Sequence, residues 1–308
     1  MTDTRWPDIT HANWAQTTSA LHLFTQVLGK IRLTTTPWIN HAWHVPLYIN
    51  ARGLTTSLMS HKGIDFEMRL DFITHDVMIE TTTGQTRRVD LGPGTMSNFY
   101  GSVMAQLRAI DVDLVIHTTP SEIKDAVPFE RDGEHRPFDR EAVTRFWHAL
   151  VSMHRVFTEF RAGFRGKCSP VHFFWGSFDL AVTRFSGRNA PPHPGGVPNF
   201  PDWAAREAYS HEVSSAGFWP GGDGSDAIFY SYAYPKPEGF ENASVMPEAA
   251  TWSHELGEFV LPYAAVRDAS DPDAALMAFL QSTYEAAANA ANWDRSALEC
   301  NLPSDAKD

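Results

Sequence analysis

Apolar positions along the chain recur with two periods, one helical and one of strand type. Trp14, Leu21, Phe24, Leu28 and Ile31 fall near helical spacing and predict a first helix from about Trp14 to Ile31, with Asp8 or Thr10 as its N-cap. The period then drops to two residues. AWHVPLYIN, GLTTSLMS, IDFEMRLDFI and HDVMIETTTG read as strands, and the last runs into a hairpin turn before QTRRVDL. In GPGTMSNFYGSVMAQLRAI the helical period returns, with Phe99, Val103 and Leu107 on one stripe behind Thr95, a good N-cap.

A polar stretch punctuated by proline fills residues 118–139, and 121–139 within it reads as a linker. Beyond it, Phe146, Leu150, Met153, Phe157 and Phe160 predict a helix over REAVTRFWHALVSMHRVFTEFRAGF. Strand patterns resume in PVHFFWGSF, LAVTRFSG, HEVSSAGFW, AIFYSYAYP and GEFVLPY. The closing helix opens at SDPDAALMAFL, where Asp271 suits the N-cap and Pro272 the first helical position, whose N–H is unpaired in any case.

Both halves thus run helix, strands, helix. The pattern predicts an α+β fold of two similar units, each a helix, about four antiparallel strands and a helix, an order that an internal duplication would produce. The units are 1–120 and 140–297, followed by a flexible tail, 298–308. Aligning VPLYINARGLTTSLM with VHFFWGSFDLAVTRF gives two identities, makes Pro46 equivalent to His172, and places His44 and His172 on equivalent faces. The alternative is one α+β domain whose halves look alike by chance.

Composition narrows the class. Of 308 residues 43% are hydrophobic and 20% charged, which is globular, and the 10 Trp and 20 Phe suggest packed sheets and an aromatic-lined pocket. A net charge of −12 repels phosphates and anionic lipid, so nucleic acid and membrane surfaces are poor partners. No apolar run is long enough to span a bilayer, and MTDTRWPDITHANW lacks the marks of a signal peptide. With only Cys168 and Cys300, neither a disulfide framework nor a thiolate zinc site can be built. A cytoplasmic location is expected.

Candidate chemistry concentrates in the second half. KCSPVHFFWGSFDLAVTRFSGR sets His172, Asp179 and Arg184 among aromatics, and a buried Arg needs an anion. EAYSHEVSSAGFWPGG supplies His211 and Glu212, a pairing of residue types suited to acid–base work, although neighbours on a regular strand point apart. The segment 186–203, SGRNAPPHPGGVPNFPDW, carries His193 and has the length and composition of a lid. Tyr230, Tyr232 and Tyr234 alternate along one strand face and could wall a pocket. His41 and His44 form an HxxH pair that only a turn could bring together. Cys168, beside Lys167 and Arg165, carries no other mark of a nucleophile.

KCSPVHFFWGSFDLAVTRFSGR, APPHPGGVPN, EAYSHEVSSAGFWPGG and ELGEFVLPY together resemble a bacterial family of roughly 300-residue proteins of unknown function. The likeness runs from WPDIT to FLQSTYEAA and implies no activity, cofactor or site residue. From the residues themselves we expect an enzyme acting on a small polar or aromatic molecule. His172, His211, Glu212 and Asp179 are the proton-transfer candidates, and Arg184, Trp175, His193, Tyr232 and His44 the substrate-binding ones. A non-catalytic small-molecule binding or sensor protein is the alternative. A metalloenzyme drawing on His41, His44, His172, His193, His211 and Glu212 is a third, although no residue is assigned to a metal. The cofactor and the oligomeric state are left open.

Overall fold

The computed structural model describes residues 5–222 and 224–300. It opens with α1 (Ala15–Thr35), preceded by a short 3-10 turn. The expected caps sit before that turn: Asp8 accepts from Thr10 N (2.8 Å), and Trp14 takes the N-cap with no side-chain bond. Five strands follow, β1 (Tyr48–Asn50), β2 (Gly53–His61), β3 (Ile64–Asp71), β4 (Asp76–Thr81) and β5 (Thr86–Asp90), paired antiparallel in chain order. The first strand is shorter than its apolar pattern. Residues 40–42 coil into a 3-10 turn with His41 and Ala42 both at φ 59°, and Pro46 has no N–H to give a ladder. His44 therefore lies in a turn and not on a strand face.

Next come β6 (Gly94–Thr95) and α2 (Met96–Arg108), capped as expected by Thr95, which accepts from Asn98 N (3.2 Å). The strand β7 (His135–Arg136) pairs back onto β6, and α3 (Arg140–Ala162) starts at Asp139, which accepts from Glu141 N and Ala142 N. Then follow β8 (His172–Phe174), β9 (Asp179–Asn189), α4 (Asp202–Ala208), β10 (His211–Trp219), β11 (Ile228–Tyr234), β12 (Thr251–Ser253) and β13 (Glu258–Pro262). These strands form a second antiparallel sheet in the order β12-β13-β11-β10-β9-β8. The chain closes with α5 (Tyr263–Arg267), α6 (Pro272–Ala290) and α7 (Arg295–Leu298), and Asp271 caps α6 through Ala274 N (3.0 Å). The fold is α+β. Of the expected tail, 298–300 is docked, with Cys300 N on Gly163 O at 3.0 Å, and 301–308 lies outside the described residues.

The two sheets meet edge to edge. Leu47 and Phe173 exchange both backbone hydrogen bonds at 2.9 Å, joining the approach to β1 with β8. That pair is made equivalent by the alignment given above, and the same offset matches Gly53, first in β2, with Asp179, first in β9. One helix lies on each of these strands, α1 on β2 and α3 on β9.

Strand alternation gives the second sheet two unlike faces. Leu180, Val182, Phe218, Phe229 and Leu261 face α3 and α6 and belong to one apolar core that also takes in Leu28, Phe66 and Phe146. Asp179, Thr183, Ser215, Tyr230 and Tyr232 lie on the other face. That polar face carries the candidate site.

Candidate functional site

Asp179 anchors the polar face. It is buried and accepts hydrogen bonds from the hydroxyls of Tyr230 and Ser177. Tyr230 can lie across β10 because its neighbour in register is Gly217, where a Cβ would collide with the phenol ring and its hydroxyl. Tyr232 stacks on Tyr230 with centroids 6.1 Å apart, and its hydroxyl meets that of Tyr209 at 2.8 Å. Thr183 and Ser215 pair beside them at 2.8 Å.

Two further carboxyls share this face. Glu258 opens β13 on the same side as Val260, which is in register with Tyr230. Glu122 arrives from the segment read as a linker. Its carboxyl rests on Gly176, where any Cβ would collide with Oε1, and its backbone N–H donates to Pro198 O (2.9 Å).

The first helix holds Glu122 in place. His22, Gln26 and Lys30, four residues apart on α1, form a polar stripe inside an otherwise apolar face. Gln26 makes two bonds to the Ser121 backbone, from Nε2 to its carbonyl (2.8 Å) and from its N–H to Oε1 (2.9 Å). Lys30 Nζ donates to Ser121 Oγ (3.0 Å), and His22 Nε2 lies 2.9 Å from Gly176 O. Burial pushes Lys30 down to about 8 and His22 down to about 4.

The electrostatics follow from shelter without a counter-charge. Burial, and then the charge of Asp179, push Glu122 and Glu258 each up to about 7. Asp179 is itself raised by burial, against the pull of its bonds from Ser177 and Tyr230. Burial also holds Tyr209 and Tyr230 well above the ordinary phenol range. No ion pair to any of the three carboxyls occurs among the described residues.

A strap crosses this face. Strand β9 runs to Asn189, so the irregular part of the expected lid is 190–201. His193 stacks on Tyr209 with centroids 4.6 Å apart, Tyr234 donates to Pro191 O (3.0 Å), and Asn199 Nδ2 donates to Ile123 O (2.6 Å).

Of the residues singled out from sequence, Asp179, Tyr232 and His193 are brought together here. The others go elsewhere. His211 lies edge-on to His41, whose Nε2 is 2.6 Å from Lys167 Nζ. Glu212 is held by Arg188 Nη2 (2.7 Å) and by Ser186 Oγ (2.8 Å), and so does not orient His211. Trp175 packs on Gly29 of α1 and donates to Val45 O (2.9 Å), away from the polar face. His44 packs at a tilt against Trp38, ring centroids 4.7 Å apart, and burial lowers its pKa. His172 is on the polar side of β8 but is boxed by Trp43, Tyr48 and Phe174, and neither ring nitrogen has a partner. Burial, aided by Arg32 and Arg161, pushes it down to about 3, so it is neutral and a weak base. Arg184 faces the helices, because it alternates with Thr183 and Phe185 on β9.

Glu122 and Glu258 were missed from sequence. A signal for Glu122 existed in the polar stripe of α1, since Gln26 and Lys30 buried on a helix need partners. Among the described residues no three His, Cys, Asp or Glu side chains gather as a metal site. No helix among them is long and apolar enough to cross a membrane.

The chain belongs to a family of unknown function, DUF5996, whose model matches residues 6–300. This accords with the resemblance drawn from its motifs. No curated protein and no solved structure matches the chain.

Proposed function

We propose that the protein is an enzyme that uses Glu122, Asp179 and Glu258 for general acid–base chemistry on a small polar molecule. Tyr209, Tyr230 and Tyr232 would supply hydroxyl contacts, and the 190–201 strap would exclude water. The observation that carries this reading is three carboxyls on one sheltered face with no paired cation, under a strap that stacks on their tyrosines. Proton transfer is most effective from groups that titrate near the working pH, and Glu122 and Glu258, both near 7, meet that condition. One can be protonated while the other is ionised, which supports an acid and a base in one site. The proton-transfer role thus moves from His172 and His211 to carboxyls.

The test is turnover of a defined mixture of sugars, amines and aromatic acids, followed by mass spectrometry. The wild type should convert a member of the mixture, and Glu122→Gln and Asp179→Asn should each lose about 100-fold or more in rate. A compound that raises the melting temperature of the wild type yet is never converted would overturn the enzymatic reading in favour of a binding protein.

A further inference from the structure

A cleft of about 230 Å³ opens where the chain from Asp8 to Trp14 passes the start of α3. Ile9, Trp14 and Ala142, all buried, supply its apolar lining. Asp8, Thr10, Asn13 and Arg145 supply the polar lining. The walls are held in place by bonds of their own. Trp14 Nε1 donates to Ile9 O (3.2 Å), the Tyr263 hydroxyl donates to Pro7 O (2.8 Å), and Thr10 N donates to Asp8 Oδ1 (2.8 Å). Ala142 and Arg145, three residues apart on α3, share one side of that helix.

Two charges of opposite sign line this cleft without meeting. Arg145 is half-buried, and its guanidinium makes no hydrogen bond or ion pair among the described residues. Asp8 makes its contacts through Oδ1, which accepts from the Thr10 N–H and hydroxyl and lies 3.1 Å from Arg267 Nη1. None of those contacts uses Oδ2, so the carboxylate has an oxygen to offer. The bonds from Thr10, and then the charges of Arg267 and Arg145, hold Asp8 below the usual carboxylate range, so it is ionised at neutral pH. Arg145 is thus near enough for its field to reach Asp8, yet beyond the roughly 4 Å of a direct ion pair.

We propose that this cleft binds a free α-amino acid with a small apolar side chain. The Arg145 guanidinium takes the carboxylate, Asp8 takes the ammonium, and the side chain lies against Ile9, Trp14 and Ala142. Opposite charges set too far apart to pair directly match a zwitterion, whose two ends satisfy both. A simple carboxylate would face Asp8 with a like charge, and a simple amine would face Arg145 in the same way, so the two charges together select against each. The cleft shares no residue with the carboxyl face of the second sheet.

Calorimetric titration of the full chain with L-valine tests this, against three probes that each lack one part of it. Isovalerate lacks the ammonium, isobutylamine lacks the carboxylate, and glycine lacks the apolar side chain. Valine should bind, and each of the three about tenfold more weakly or worse. Arg145→Gln and Asp8→Asn should each weaken valine by about tenfold. Neither side chain is buried, so both variants should fold, which circular dichroism checks. Absence of valine binding up to about 10 mM overturns the proposal. So does equal affinity for valine and any one of the three probes, or unchanged affinity in either variant.

Discussion

A sheltered carboxyl without a counter-charge leaves its mark on the pH dependence of folding. Glu122 has an ordinary pKa of 4.5 and is raised to about 7 in the fold. Between those values the folded chain holds more protons than the unfolded one, so stability falls as pH rises through this window and levels off above it. Glu122→Gln removes that contribution. In urea unfolding the variant should gain about 1–2 kcal/mol over the wild type at pH 8, discounted for partial exposure, and nothing at pH 4. Parallel stability curves across the window would show that Glu122 is not raised. His172 carries the opposite sign. Its folded pKa is about 3 against an ordinary 6.5, so the unfolded chain binds the extra proton and stability falls as pH drops below 6.5. Replacing this unpaired, boxed imidazole by an apolar group of similar size, His172→Leu, should raise stability by about 1–2 kcal/mol at pH 5, with a smaller gain at neutral pH. A loss at pH 5 would mean that the imidazole has a partner.

At the scale of elements, α1 is more than a core helix. Gln26 is fully buried and bonds both the carbonyl and the N–H of Ser121, next to Glu122. Gln26→Leu should destabilise by about 2 kcal/mol, because the Ser121 N–H and carbonyl lose their partners. It should also reduce the slope of stability between pH 4.5 and 7 that Glu122 imposes, a readout that lost packing alone would leave unchanged. Periodicity made most of this architecture legible beforehand. Thr95 and Asp271 cap the helices they precede, and the β2 to β5 segments pair in order. What failed were places where contacts remote in sequence decide. HAWH became a turn docked under α4, and α4 itself, only seven residues long, carries too little pattern to announce a helix. Arg184, Asp179 and His172 were rightly marked as groups in need of explanation. Only the alternation of the folded sheet separates them into a helix-side cluster, a polar face and an aromatic box.

For the whole molecule the question is whether the repeated order of parts amounts to two folding units. The contacts argue against independence. Leu47 and Phe173 stitch the sheets together, α1 holds both Glu122 and the 175–176 turn before β9, and one apolar cluster contains residues of both sheets and of α1, α3 and α6. Separating the halves would expose the Gly29–Trp175 contact and strip Gln26 and Lys30 of their partners, so neither half retains a complete core. Unfolding should therefore be a single cooperative transition. Near-ultraviolet circular dichroism, which follows the aromatic core, and far-ultraviolet circular dichroism, which follows the backbone, should give coincident urea curves. The slowest-exchanging amides of β3 and of β10 should report the same opening free energy, to within about 1 kcal/mol. Two resolved transitions, or a first sheet that opens well before the second, would instead make the Leu47–Phe173 seam a boundary between units that fold separately.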